Sequence, residues 1–78
     1  MEKEKNVLPL SLKERKDLSE REYEVLKLIT LGKTNNEIAK DLFISSHTAK
    51  AHVCSILQKM GVEDRVQAAV KAVRNGML

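Results

Sequence analysis

The chain has one cysteine, Cys54, and no tryptophan, and its single tyrosine and single phenylalanine bring aromatics to 3% of 78 residues. One thiol cannot close an internal disulfide, so nothing covalent staples the fold. His47 and His52 stand five apart, a poor spacing for two ligands on one helix face, and no Cys/His cluster has zinc spacing, so no metal is expected. With so few aromatics the interior has to be aliphatic, built from Leu, Ile, Val, Ala and Met. No run approaches the ~18 apolar residues of a membrane span. The opening "MEKEK" lacks the apolar core of a signal peptide, so a cytoplasmic protein is expected. The constellations of catalysis are missing too: there is no carboxylate pair, no nucleophile with its base and no Gly-rich phosphate loop. The reading is therefore of a protein that is not an enzyme and takes no cofactor.

A further absence is local. Acidic residues number 11 in the chain, yet none occurs in "LFISSHTAKAHVCSILQKMG", Leu42 to Gly61. The formal net charge is +3 and the pI about 9.2, a mild excess that fits a polyanion partner. Met1 to Glu22 holds six bases and six acids, so the positive balance lies downstream.

At this length there is room for one domain with a thin core. Residues 1–17 alternate Lys and Glu around "VLPL" and read as a charged N-terminal tail or linker, with Leu10 or Leu12 able to pack on the domain. The helical patterns occupy residues 18–78. Ser19 and Glu22 make a capping box, Leu18 is placed as a staple toward Tyr23, and Gly32 suits a left-handed cap, so a first helix is expected over Glu20 to Leu31. Thr34 or Asn35 caps a short second helix with Ile38, Ala39 and Leu42 on one side. Phe43 and Ile44 break that period and Ser45 or Ser46 restarts it, a helix-turn-helix pattern whose turn lacks glycine. The third helix is expected over about Ser46 to Met60, with Ala49, Val53, Ile56, Leu57 and Met60 on its inner face. Asp64 caps a fourth, striped by Val66, Ala69, Val70 and Val73 and ended by Gly76. That last helix either closes the core or leaves a face for self-association, Ala68 and Ala72 being small enough to admit another helix closely. The fold class is all-α: a four-helix bundle domain containing a helix-turn-helix.

The outer face of the third helix gathers His47, Thr48, Lys50, Ala51, Cys54, Ser55 and Gln58. A solvated helix ordinarily mixes acids among its bases for i, i+4 pairing. A surface that lies against phosphates would exclude them. The first turn offers free N–H groups, Ser46 and Thr48 can donate hydroxyl hydrogen bonds to phosphate oxygens, and Lys50 can reach a phosphate or a guanine edge. Ala51 is small enough to let the helix sink into a groove and touch a thymine methyl, and His47 and His52 can donate through a ring N–H. Cys54 reads as a small contact or spacer one turn beyond Lys50.

These residues resemble the LuxR-type (GerE-like) DNA-binding domain over Leu18 to Ala68. The likeness runs through Glu22-x-x-Val25-Leu26 and Gly32-Lys33-Thr34-Asn35-Asn36-Glu37-Ile38-Ala39, then Leu42-x-Ile44-Ser45 and Thr48-x-Lys50-x-His52. It continues in Lys59-Met60-Gly61-Val62 and Arg65-x-Gln67-Ala68. The resemblance implies a third helix in the major groove with Lys50, Ala51 and Cys54 facing bases and Ser46 and His47 at the groove entrance. It implies backbone contacts for Lys33, Thr34, Asn35, Thr48 and His52, to which Ser55 is added, and a fold role for Glu22 and Arg65. It also implies dimer contacts on the fourth helix, for which Ala68, Ala69, Ala72 and Val73 are the candidates. Ala49 departs from the usual valine, and Cys54 from the long polar side chain of several members.

The reading that follows is a sequence-specific transcriptional regulator that binds double-stranded DNA as a homodimer on a partly symmetric site, with RNA polymerase as a further partner and no membrane. A stand-alone regulator and an excised effector domain both fit. The rival is a helix-turn-helix scaffold kept as a protein-docking module.

Overall fold

The computed structural model describes residues 18–77; the tail or linker expected over 1–17, with the packing of Leu10 or Leu12, lies outside the described residues. Four helices follow one another: α1 Glu20–Thr30, α2 Asn35–Leu42, α3 Ser46–Met60 and α4 Arg65–Arg74. No strand occurs among the described residues.

Local chemistry sets the ends. The Ser19 hydroxyl accepts from the Glu22 N–H at 3.1 Å and the Ser19 N–H donates to Glu22 Oε1 at 3.0 Å, the reciprocal box read from the sequence. Helix α1 stops one residue short of the expectation, because the Gly32 and Lys33 N–H groups turn back onto the carbonyls of Ile29 and Leu28. Gly32 takes φ 81° to do so. Thr34, not Asn35, caps α2, in a second box with Glu37. Helix α2 ends on Phe43, which adopts φ 58° with no glycine, and the ring is 93% exposed. Ile44 then turns inward and packs against the core. Ser45 caps α3 and Asp64 caps α4.

The core is aliphatic and shared by all four helices. Leu26, Ile38, Ile56 and Met60 are at most 2% exposed, and each such side chain contributes about 1.5–3 kcal/mol through its removal from water. The inner face of α3 is the one expected: Ala49, Val53, Ile56 and Met60 are buried, with Leu57 packed beside them. Beyond α4 the chain returns, Met77 is fully buried, and the Tyr23 hydroxyl donates to its carbonyl at 2.8 Å.

Helix α4 departs from the sequence reading. The valine stripe does not face the core: Val66 is 68%, Val70 47% and Val73 67% exposed, while Ala68 and Ala72 are fully buried. The small residues face the interior, and α4 packs against α1 and α3 of the same chain. At about 100° per residue the valines and the alanines fall on opposite sides. Ala68 and Ala72, expected as dimer contacts, are therefore interior packing residues. Ala69 is half-buried against the core, and Val73 alone of that set lies open.

Candidate nucleic-acid interface

Helix α3 presents an outer strip in which His47, Thr48, Lys50, Ala51, Cys54 and Gln58 are all exposed. Lys50 makes no ion pair among the described residues, and the strip has no carboxylate of its own. Its ammonium thus stands in water one turn from the helix start, held in place only by the helix beneath it. Ala51 and Cys54 flank it with short side chains, leaving a low surface that a neighbouring molecule can approach closely. His52 is half-buried at the edge of this strip.

Ser55 parts company with the strip. Its hydroxyl donates to Glu22 Oε2 at 2.6 Å, and Lys59 donates to Glu22 Oε1 at 2.8 Å. Glu22 is buried. Burial alone would raise its carboxyl; the hydrogen bonds from Lys59, Ser55 and the Ser19 backbone, with the Lys59 charge, outweigh that and lower it from an ordinary 4.5 to about 2. So the carboxylate bonded to α3 among the described residues comes from α1, at the border of the strip, and its charge is taken up by Lys59 and Ser55. The Ser55 proton, expected at a phosphate, is committed to this network, which anchors the second half of α3 to α1. Glu22 is the fold residue the resemblance implied.

Before α2, an open cleft is lined by Gly32, Lys33, Thr34, Asn35, Asn36 and Arg65. Arg65, projecting from the start of α4, donates to Asn35 Oδ1 at 2.9 Å and to the Lys33 carbonyl at 2.8 Å. It ties the α1–α2 connection to α4 and fixes the Asn35 amide with its oxygen occupied and its NH2 left to donate. Lys33 sits 3.3 Å from Asp41, both half-exposed, so an incoming anion would compete with that carboxylate. The Thr34 hydroxyl accepts from Glu37, which leaves its own proton available.

The hydroxyls at the start of α3 divide in a way composition cannot show. Ser45 Oγ accepts from the Thr48 N–H at 3.0 Å and donates to Thr48 Oγ1 at 2.9 Å, so Thr48 keeps a free proton. Ser46 Oγ donates to Asn36 Oδ1 at 2.9 Å, so its proton is taken. The sequence reading did not join Asn36 to Ser46; the pair lies ten residues apart, and only the angle between α2 and α3 joins them. Among the described residues, no group of three His, Cys, Asp or Glu side chains could hold a metal ion, and no helix is long and apolar enough to cross a membrane.

The sequence model of the family described as "Bacterial regulatory proteins, luxR family" matches residues 16–72. The chain is 52% identical over 61 residues to "Transcriptional regulatory protein LiaR" of Bacillus subtilis (strain 168), a stretch that is 78% of this chain and 29% of that protein. It is 52% identical over 59 residues to "Transcriptional regulatory protein DegU" of Brevibacillus brevis, 76% of this chain and 25% of that protein. It is 46% identical over 61 residues to "Spore germination protein GerE" of Bacillus subtilis (strain 168), 78% of this chain and 82% of that protein. Against the first two, the chain spans under a third of the relative's length.

Proposed function

Because the chain belongs to the luxR family of bacterial regulatory proteins, we propose that it binds double-stranded DNA through the outer strip of α3 and regulates transcription by occupying its site. The observation that carries this reading is the strip itself: among the described residues, an exposed Lys50 without an ion pair, set among short side chains on a helix with no acidic residue of its own. Lying in the major groove, the strip would set Lys50, Ala51 and Cys54 against base edges, with Ser46 and His47 at the entrance. Thr48 and His52, with Lys33, Thr34 and Asn35 from the α1–α2 connection, would meet the sugar-phosphate backbone. Phosphate contacts would set register and strength while the few base contacts select the site.

The protein acts as a dimer in this reading. The exposed valines of α4, Val66, Val70 and Val73, support it better than the buried alanines do. Two copies would read a partly symmetric site whose half-sites lie ~10 bp apart. The place of action is the cytoplasm, at the nucleoid, and a docked RNA polymerase fits the same arrangement.

Selection of bound sequences from random duplex at stated salt tests the reading, followed by titration of the selected duplex at rising salt. Affinity is expected to fall steeply, because counterions are released from each neutralised phosphate. Lys50→Ala is expected to cost about 1–3 kcal/mol on the selected duplex and less on random DNA. No enrichment, together with binding that ignores salt, would favour a protein-docking module instead.

A further inference from the structure

The bond between Ser46 and Asn36 assigns a role to a residue so far outside the interface. Ser46 has one hydroxyl proton, and it is donated to Asn36 Oδ1 at 2.9 Å. Ser46 therefore cannot donate to DNA without breaking that bond. A carboxamide has an oxygen on one side and an NH2 on the other. With the oxygen turned to Ser46, the two amide protons of Asn36 point away from it, and no acceptor takes them among the described residues. Asn36 is exposed and lines the same open cleft as Lys33, Thr34 and Asn35. An oriented pair of N–H donors thus stands in line with residues already read as meeting the backbone.

We infer, resting on the DNA-binding reading above, that Asn36 is a further backbone contact that donates to a DNA phosphate, and that Ser46 is its positioning residue. The arrangement also limits what Asn36 can read. Asparagine recognises adenine with its oxygen and its nitrogen together; here the oxygen is occupied, so the contact holds register and carries no sequence preference. Ser46 acts through Asn36 rather than on the DNA itself, which replaces the direct phosphate contact expected of it.

The experiment measures affinity by fluorescence anisotropy, at one low salt concentration, on a selected duplex and on a random-sequence duplex of equal length. The variants are Asn36→Ala, Ser46→Ala, the double substitution and Ser46→Thr, which keeps the hydroxyl. Asn36→Ala is expected to weaken binding about 3- to 10-fold, the worth of one neutral hydrogen bond, by the same factor on both duplexes. Ser46→Ala is expected to lose less, the double variant no more than Asn36→Ala alone, and Ser46→Thr nothing. Both side chains are exposed, so melting temperatures should stay at the wild-type value. Unchanged affinity in Asn36→Ala overturns the inference. So does a loss confined to the selected duplex, which would make Asn36 a base reader, and so do losses from the two single variants that simply add. If the wild-type chain binds neither duplex, the DNA-binding reading fails first and takes this inference with it.

Discussion

Glu22→Gln keeps the outline of the side chain and removes its charge, and it asks how firmly α3 is anchored. Glu22 is 6% exposed and accepts from Ser55 at 2.6 Å, Lys59 at 2.8 Å and the Ser19 backbone at 3.0 Å. Burial opposes its ionisation, but these bonds and the Lys59 charge hold it at about 2 against an ordinary 4.5. A carboxyl lowered by folding contributes stability that is fully present above its unfolded value and is lost as pH falls through the folded one. At about 1.4 kcal/mol per unit of pKa, the fall from 4.5 to about 2 corresponds to about 3 kcal/mol. Water reaches the partner, since the Lys59 side chain is 39% exposed, and screens part of that interaction. About 2 kcal/mol is the expected cost at pH 7, a drop in Tm of roughly 8–16 °C for a domain of this size. Thermal unfolding of wild type and variant, followed by circular dichroism between pH 7 and pH 2, reads it. The gap should hold near neutrality, narrow below about pH 4.5 and close toward pH 2. Curves that stay parallel to pH 2, or a gap at pH 7 below the ~0.5 kcal/mol of an ordinary surface change, would refute the reasoning.

Arg65→Ala removes both ties to the α1–α2 connection and is expected to cost about 2 kcal/mol by urea unfolding. It should also weaken duplex binding at protein concentrations where the variant is folded; unchanged affinity would separate that connection from the interface. Ala72→Leu forces a larger side chain into a fully buried position, with an expected loss of about 1–3 kcal/mol from overpacking. Wild-type stability combined with altered self-association would instead turn the alanine face outward. Val70→Glu, at a half-exposed position on α4, should leave Tm unchanged and abolish self-association in sedimentation runs with and without duplex; a dimer that survives it would move the dimer surface off the valines.

Much of the fold was legible because its signals are local. Ser19 with Glu22, and Gly32, Gly61 and Gly76 at positive φ just past three helices, mark ends through groups a few residues apart. The inner face of α3 could be read from spacing alone, since one helix was to be buried along one side. Helix α4 misled for a physical reason. Apolarity favours valine inside, but in so thin a bundle the distance between helices decides, and alanine permits the closer approach. Ser55 sits near the border of the outer strip, and nothing in α3 itself announces the Glu22 carboxylate waiting across the helix pair. Asn36 and Ser46 meet only because of the α2–α3 crossing, which no pattern within either helix encodes. Met77 carries a local signal too: it is an apolar residue directly after Gly76, whose left-handed backbone turns the chain back to bury it.

The most direct measurement is an NMR titration of the labelled chain with duplex DNA at low ionic strength. Resonances of Thr48, Lys50, Ala51 and Cys54 should shift first and furthest, with Lys33 to Asn36 moving alongside, while the α4 valines respond only if dimerisation follows. Signals of the α3 strip that stay in place as duplex is added, or shifts gathered elsewhere on the domain, would contradict the assignment of this face to DNA.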